Sequence, residues 1–185
     1  ANRLKKMTDE LQDIVMSIRM VPVGATFHGM QRIVRDMCKK LGKEAELIIS
    51  GEETEVDKNI IEAISDPLVH LIRNSIDHGI EDPETRKKLG KPAGGRIFLE
   101  ARNEGGDVWI TVRDDGGGLN RQAILKKARE NGLVTKDEKE FSDAEVWKFI
   151  LAPGFSTKQA VSQYSGRGVG LDVVIRNIEK TGGQL

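Results

Sequence analysis

Apolar residues recur at helical spacing at Leu4, Met7, Leu11, Ile14, Val15 and Ile18, with charges between them, and the pattern stops at Met20-Val21-Pro22. This predicts an amphipathic helix whose seam either docks on the rest of the chain or is the stub of a longer helical hairpin. A second helix is predicted over residues 25–41, with Phe27, Met30, Ile33, Val34 and Met37 inward and Gly42 as its C-cap. The short branched run at residues 45–49, closed by Ser50-Gly51, reads as a strand. From Asp57, a natural N-cap, a long helical pattern puts Ile61, Ile64, Leu68, Leu71, Ile72 and Ser75 on one arc. Pro67 falls inside it and should bend its axis. Residues 79–95, with Pro83, Gly90, Pro92, Gly94 and Gly95, read as a long connection that is either functional or mobile. A hairpin follows: Ile97, Leu99 and Ala101 alternate with polar or larger neighbours, residues 103–107 turn, and Val108, Ile110 and Val112 alternate again.

Composition narrows the function classes. Lys plus Arg equals Asp plus Glu at 29 each, which leaves no basic footprint for nucleic acid or acidic membranes. The single cysteine, Cys38, excludes a disulfide framework and a multi-cysteine zinc site, and reads as a buried structural thiol. No apolar run approaches the roughly 18 residues of a membrane span, so the expected location is cytoplasmic. With 185 residues, one main core with an appendage is expected.

The chemistry gathers at the end of the long helix. His70, Arg73, Asn74 and Asp77 share a stripe of roughly 100° beside the apolar arc. An amide oxygen for magnesium, a guanidinium for phosphate and an imidazole that moves protons near neutral pH suit a bound polyphosphate. Asp114 stands at a strand end before Gly116-Gly117-Gly118, where a carboxylate can accept from an adenine amine; an ordinary acidic turn is the plainer alternative. Asp114 and Asp115 point to opposite faces, which argues against a metal pair.

The run Leu151-Ala-Pro153-Gly154-Phe155-Ser156-Thr157-Lys158 reads as a lid anchored by Phe155, with Ser156, Thr157 and Lys158 available to phosphates, or as a plain exposed loop. Of Lys126 and Lys127, the one to point inward would be Lys127. Gly166-Arg167-Gly168-Val169-Gly170 opens a helix whose amides attract phosphate, although its spacing does not match the dinucleotide fingerprint. His28 on the second helix reads as structural or surface.

The order of these motifs, at residues 70–79, 114–118, 153–157 and 166–170, resembles the N, G1, F and G2 boxes of the GHKL superfamily. Within it, Met20-Val21-Pro22, residues 70–81, Ala152 to Thr157 and Ser165 to Val174 look like the chemotaxis histidine kinases. The resemblance implies a two-layer α/β sandwich of the Bergerat type, a mixed sheet packed on helices under a flexible ATP lid. It divides the chain into residues 1–22, the end of a dimerisation helix with its linker, and residues 23–185, an ATP-binding catalytic domain with its final strands missing. It implies ATP and magnesium as ligands, with Asn74 and His70 beside the metal and His70 and Arg73 in the chemistry. Nucleotide contacts are implied at Asn74, Asp77, His78, Asp114, Gly116, Gly118, Lys127, Ser156, Thr157, Lys158, Gly166, Arg167, Gly168, Val169 and Gly170.

Superfamily ATPases carry a water-activating glutamate four residues before the metal-binding asparagine, and this chain has His70 there. That favours phosphoryl transfer to a histidine on a separate phosphotransfer domain, with His70 as proton acceptor, orienter or magnesium neighbour. His78 either supports the site or caps the helix. Expected partners are that phosphotransfer domain in trans, a second copy through the N-terminal helix, and a chemoreceptor with its coupling protein through further domains. A superfamily ATPase and a nucleotide-gated, non-catalytic scaffold remain the alternatives.

Overall fold

A computed structural model describes residues 1–155 and 170–185, which form two compact units, residues 1–116 and 117–185. In the first, helix α1 (Asn2–Arg19) leaves Leu4, Met7, Leu11, Ile14 and Val15 between 49% and 75% exposed, so these positions do not dock on the chain. Strand β1 (Met20–Pro22) follows and pairs antiparallel with β3 (Glu55–Asp57), with Val21 opposite Val56. The sequence pattern shows neither strand. Arg19 reinforces the pairing by donating to Asp57 at 3.1 Å.

Helix α2 (Gly24–Leu41) buries Phe27, Met30, Val34 and Cys38, the three- and four-residue spacing of one face, and ends at Gly42, whose N–H donates to the Cys38 carbonyl. Cys38 is the buried thiol expected, and burial pushes its pKa up. Strand β2 (Ala45–Ser50) runs parallel to β4 (Gly95–Glu104), which is antiparallel to β5 (Asp107–Asp114). The sheet order β2-β4-β5 is therefore mixed. The hairpin turn is tighter than residues 103–107: Glu104 and Asp107 still pair, and Gly105-Gly106 alone reverse the chain. Both have positive φ, as the favoured two-residue hairpin turn requires.

Between β2 and β4 the chain crosses over through β3 and α3 (Lys58–Asn74). Asp57 caps this helix by accepting the Asn59 N–H at 2.8 Å, a contact of the kind that contributes about 1 kcal/mol. Pro67 is buried within it. Helices α2 and α3 pack on each other, α2 also on β2 and α3 on β5, and the core between helices and sheet holds Ile72, Ile76, Ile80, Ile97 and Leu99. The expected open connection after Gly79 contains a short helix, α4 (Pro83–Lys88), capped by Asp82 through the Thr85 N–H.

The elements among the described residues of the second unit are helical. Helix α5 (Arg121–Glu130) is capped by Asn120, α6 (Asp143–Lys148) starts with a capping box between Ser142 and Glu145, and α7 (Leu171–Glu179) starts at Gly170. Its core gathers Ile124, Leu125, Ala128, Phe141, Val146 and Phe155. Among the described residues, no helix is long and apolar enough to cross a membrane.

Candidate functional site

The last two turns of α3 carry His70, Arg73 and Asn74, all half-buried. The helix does not simply end there. It widens into a π turn over Ser75–Gly79, closed by the Ile80 N–H donating to the Ser75 carbonyl at 2.7 Å. The wider register moves Asp77 off the phase of an ideal helical stripe. It also leaves carbonyls turned away from their usual donors, and Lys43, next to the cap of α2, donates to Ile76 O and Asp77 O at 2.8 Å each. Sequence reading missed Lys43, whose partners lie 33 and 34 residues away.

Burial, assisted by the charge of Arg73, lowers the pKa of His70, so the imidazole is neutral at pH 7. Among the described residues, the buried Nε of Arg73 has no hydrogen-bond partner. A buried guanidinium donor left open in this way is suited to an anionic ligand. His78 is 63% exposed and contacts Asp77 at 3.6 Å. It does not cap the turn, whose carbonyls are taken by Ile80 N–H and Lys43.

Strand β5 delivers Asp114 against this turn. Its Oδ1 accepts the Gly116 N–H at 3.0 Å, and a Cβ on Gly79 would lie 2.9 Å from its Oδ2. A Cβ on Gly116 would run into the Gly79 carbonyl. Backbone meets backbone here, as close approach at glycines allows. Asp115 points elsewhere, as alternation predicts, to Arg96 and Arg86. Its burial raises the carboxyl pKa, but the Arg96 N–H and the Arg86 charge outweigh that and hold it below the usual range.

Two cations to which sequence reading gave no role, Arg86 and Lys91, sit behind this junction. Arg86, 1% exposed, donates from Nε to Pro92 O at 2.7 Å, from Nη1 to Glu81 Oε1 at 3.1 Å and Asp115 O at 3.3 Å, and from Nη2 to Asp115 Oδ2 at 3.3 Å. Lys91 Nζ donates to Glu81 Oε2 at 2.8 Å, Gly116 O at 3.2 Å and Asp115 O at 3.3 Å. The Lys91 hydrogen bond holds the Glu81 carboxyl below its usual range.

In the second unit, Lys127 is half-buried while Lys126 is exposed, so Lys127 is the inward lysine. Its ammonium lies 5.1 Å from the centre of the Phe155 ring, and burial lowers its pKa. Phe155 is buried, Gly118 is exposed, and Gly170 is buried at the start of α7. Ser156, Thr157, Lys158, Gly166, Arg167, Gly168 and Val169 lie outside the described residues. Among the described residues, no group of three or more His, Cys, Asp or Glu side chains could hold a metal by itself.

Residues 63–185 match the family described as histidine kinase-, DNA gyrase B-, and HSP90-like ATPase. The chain is 50% identical over 184 residues to the chemotaxis protein CheA of Bacillus subtilis, covering 99% of this chain and 27% of that protein. It is 51% identical over 184 residues to that of Klebsiella aerogenes, covering 100% and 28%. It is also 51% identical over 181 residues to the sensor histidine kinase CheAY of Helicobacter pylori, covering 97% and 22%. The chain thus spans about a quarter of the length of the curated relatives it matches. Among solved structures, the histidine kinase domain from the Erythrobacter litoralis EL346 blue-light activated histidine kinase is similar at a TM-score of 0.39 and 20% identity, covering 55% of this chain and 45% of that one.

Proposed function

The chain belongs to the histidine kinase-, DNA gyrase B-, and HSP90-like ATPase family, and we propose that it is the ATP-binding catalytic part of a chemotaxis histidine kinase. The fold agrees: helices on a mixed sheet, with the nucleotide-type residues at the end of α3 and β5. The observation that carries the reading is the pair His70 and Arg73. A neutral imidazole occupies the position of the ATPases' water-activating carboxylate, next to a guanidinium with an open buried donor.

In this reading Asp114 accepts a hydrogen bond from the adenine amine. Arg73 donates to the transferring phosphate, where charge spreads in the transition state. Asn74 offers its amide oxygen to magnesium, which supplies charge neutralisation on the phosphates when bound. A histidine of a phosphotransfer domain attacks the γ-phosphorus with its ring nitrogen. The N–P bond forms as the P–O bond to ADP breaks, and neutral His70 takes the proton the attacking ring gives up. Lys127, Gly118 and Gly170, with Ser156, Thr157, Lys158, Gly166, Arg167, Gly168 and Val169, are assigned to the nucleotide through the family resemblance, as are Asp77 and His78. Residues 1–22 are assigned to the end of a dimerisation helix and residues 23–185 to the catalytic domain. A cytoplasmic setting, a dimer through the N-terminal helix, and coupling to chemoreceptors through further domains complete the proposal.

The test is incubation with γ-labelled magnesium ATP and a purified chemotaxis phosphotransfer domain, with nucleotide binding recorded in the same samples. Acid-labile, base-stable label on the added domain is expected. Binding without label, repeated with a version extended beyond Leu185, would replace the kinase by a nucleotide-gated scaffold.

A further inference from the structure

The polar segment after the π turn holds both sides of the Asp114 junction at once. On one side, Glu81 lies two residues beyond Gly79, whose carbonyl abuts Gly116. On the other, the Asp115 and Gly116 carbonyls belong to the two residues that directly follow Asp114. The cations Arg86 and Lys91 reach both sides: each binds a different oxygen of Glu81, and both donate to Asp115 O. Lys91 adds Gly116 O, and Gly116 in turn donates its N–H to Asp114 Oδ1. The Asp114 carboxylate is therefore oriented by a peptide whose own carbonyl is held by Lys91 and Arg86 together.

Arg86 is buried with its charge balanced by Glu81 and Asp115, so the arrangement is a closed ionic and hydrogen-bonded network. A network of this kind is worth most where small displacements matter, and a hydrogen bond to an exocyclic amine is sensitive to fractions of an ångström. We propose that Lys91 and Glu81, together with Arg86, are positioning residues for base recognition, holding Asp114 at the place from which it selects an adenine amine. The proposal rests on the reading of Asp114 as the base acceptor.

The experiment compares ATP with inosine triphosphate, which carries a carbonyl oxygen where adenine carries the amine. Affinities are measured by calorimetry for the wild-type chain and for Lys91→Met, Glu81→Gln, Lys91→Arg and Asp114→Asn, with thermal melting alongside. Arg86 is left intact because an uncompensated cavity and buried carboxylates would endanger folding. The wild type should prefer ATP. Lys91→Met and Glu81→Gln should weaken ATP binding about five- to tenfold while leaving inosine triphosphate nearly unchanged, as loss of one oriented hydrogen bond predicts. Lys91→Arg should restore much of the preference. Equal loss of both nucleotides would overturn the positioning role and leave a structural clamp. A wild type that binds both equally, with Asp114→Asn silent, would overturn the base reading itself and the positioning role with it.

Discussion

The carbonyl of Gly79 and the Cα of Gly116 are in such close contact that no side chain fits on Gly116. Gly116→Ala must push the π turn and the end of β5 apart, because the obstructing atoms are backbone and cannot rotate away. The expected cost is about 1–3 kcal/mol of stability, with a larger proportional loss of nucleotide affinity. Chemical denaturation and calorimetry on the same preparation measure both. Unchanged affinity would separate this junction from the nucleotide.

Two histidines give stability opposite pH dependences. His70 has a folded pKa below its ordinary 6.5, so the unfolded chain binds more protons and stability falls as pH drops from about 6.5 through the depressed value. His28 is hydrogen-bonded to Glu52 at 2.7 Å, and that bond, with help from Gln31 and the Glu52 charge, raises its pKa. Its contribution is complete below 6.5 and is lost as pH rises through the raised value. Melting temperature against pH should show His70→Gln flattening the acid side and His28→Gln the alkaline side. In the labelling assay, His70→Gln should leave binding largely intact and slow transfer; an unchanged rate would reduce His70 to a structural role.

Asn74→Ala tests the metal. Nucleotide affinity in the variant should become the same with and without magnesium. A magnesium effect that survives would place the ion on other oxygens.

Lys43→Met should destabilise the first unit by about 1–2 kcal/mol, since the Ile76 and Asp77 carbonyls lose a charged donor. Lys43→Arg should recover part of this. Urea unfolding gives the numbers, and a neutral Lys43→Met would mean that water replaces the ammonium without cost.

Local signals in the sequence were clear where one element decides its own fate. The apolar face of α2 with Gly42, the Asp57 cap of α3, and the alternation that brings Asp114 to a strand end are all visible in short windows. The π turn is not, because no residue type within Ser75–Gly79 distinguishes its wider register from an ordinary helix end. The pairing of β1 with β3 joins two segments of three residues, too short for periodicity to mark. Arg86 and Lys91 fall in the 79–95 connection, and nothing local marks their roles because their Asp115 contacts lie 29 and 24 residues away. The burial of Arg86 follows from tertiary structure.

The π turn also makes chain length meaningful at one place. Its five-residue register contains one residue more than a regular helical turn would need to reach the same exit point. Deleting a single residue within 75–78 would therefore let α3 close as regular helix and still deliver the chain to the same exit point. Gly79 would continue to face Gly116. One deletion here should thus leave the junction standing, whereas the same deletion in the regular turns of α3 would rotate everything that follows by about 100° and erase it.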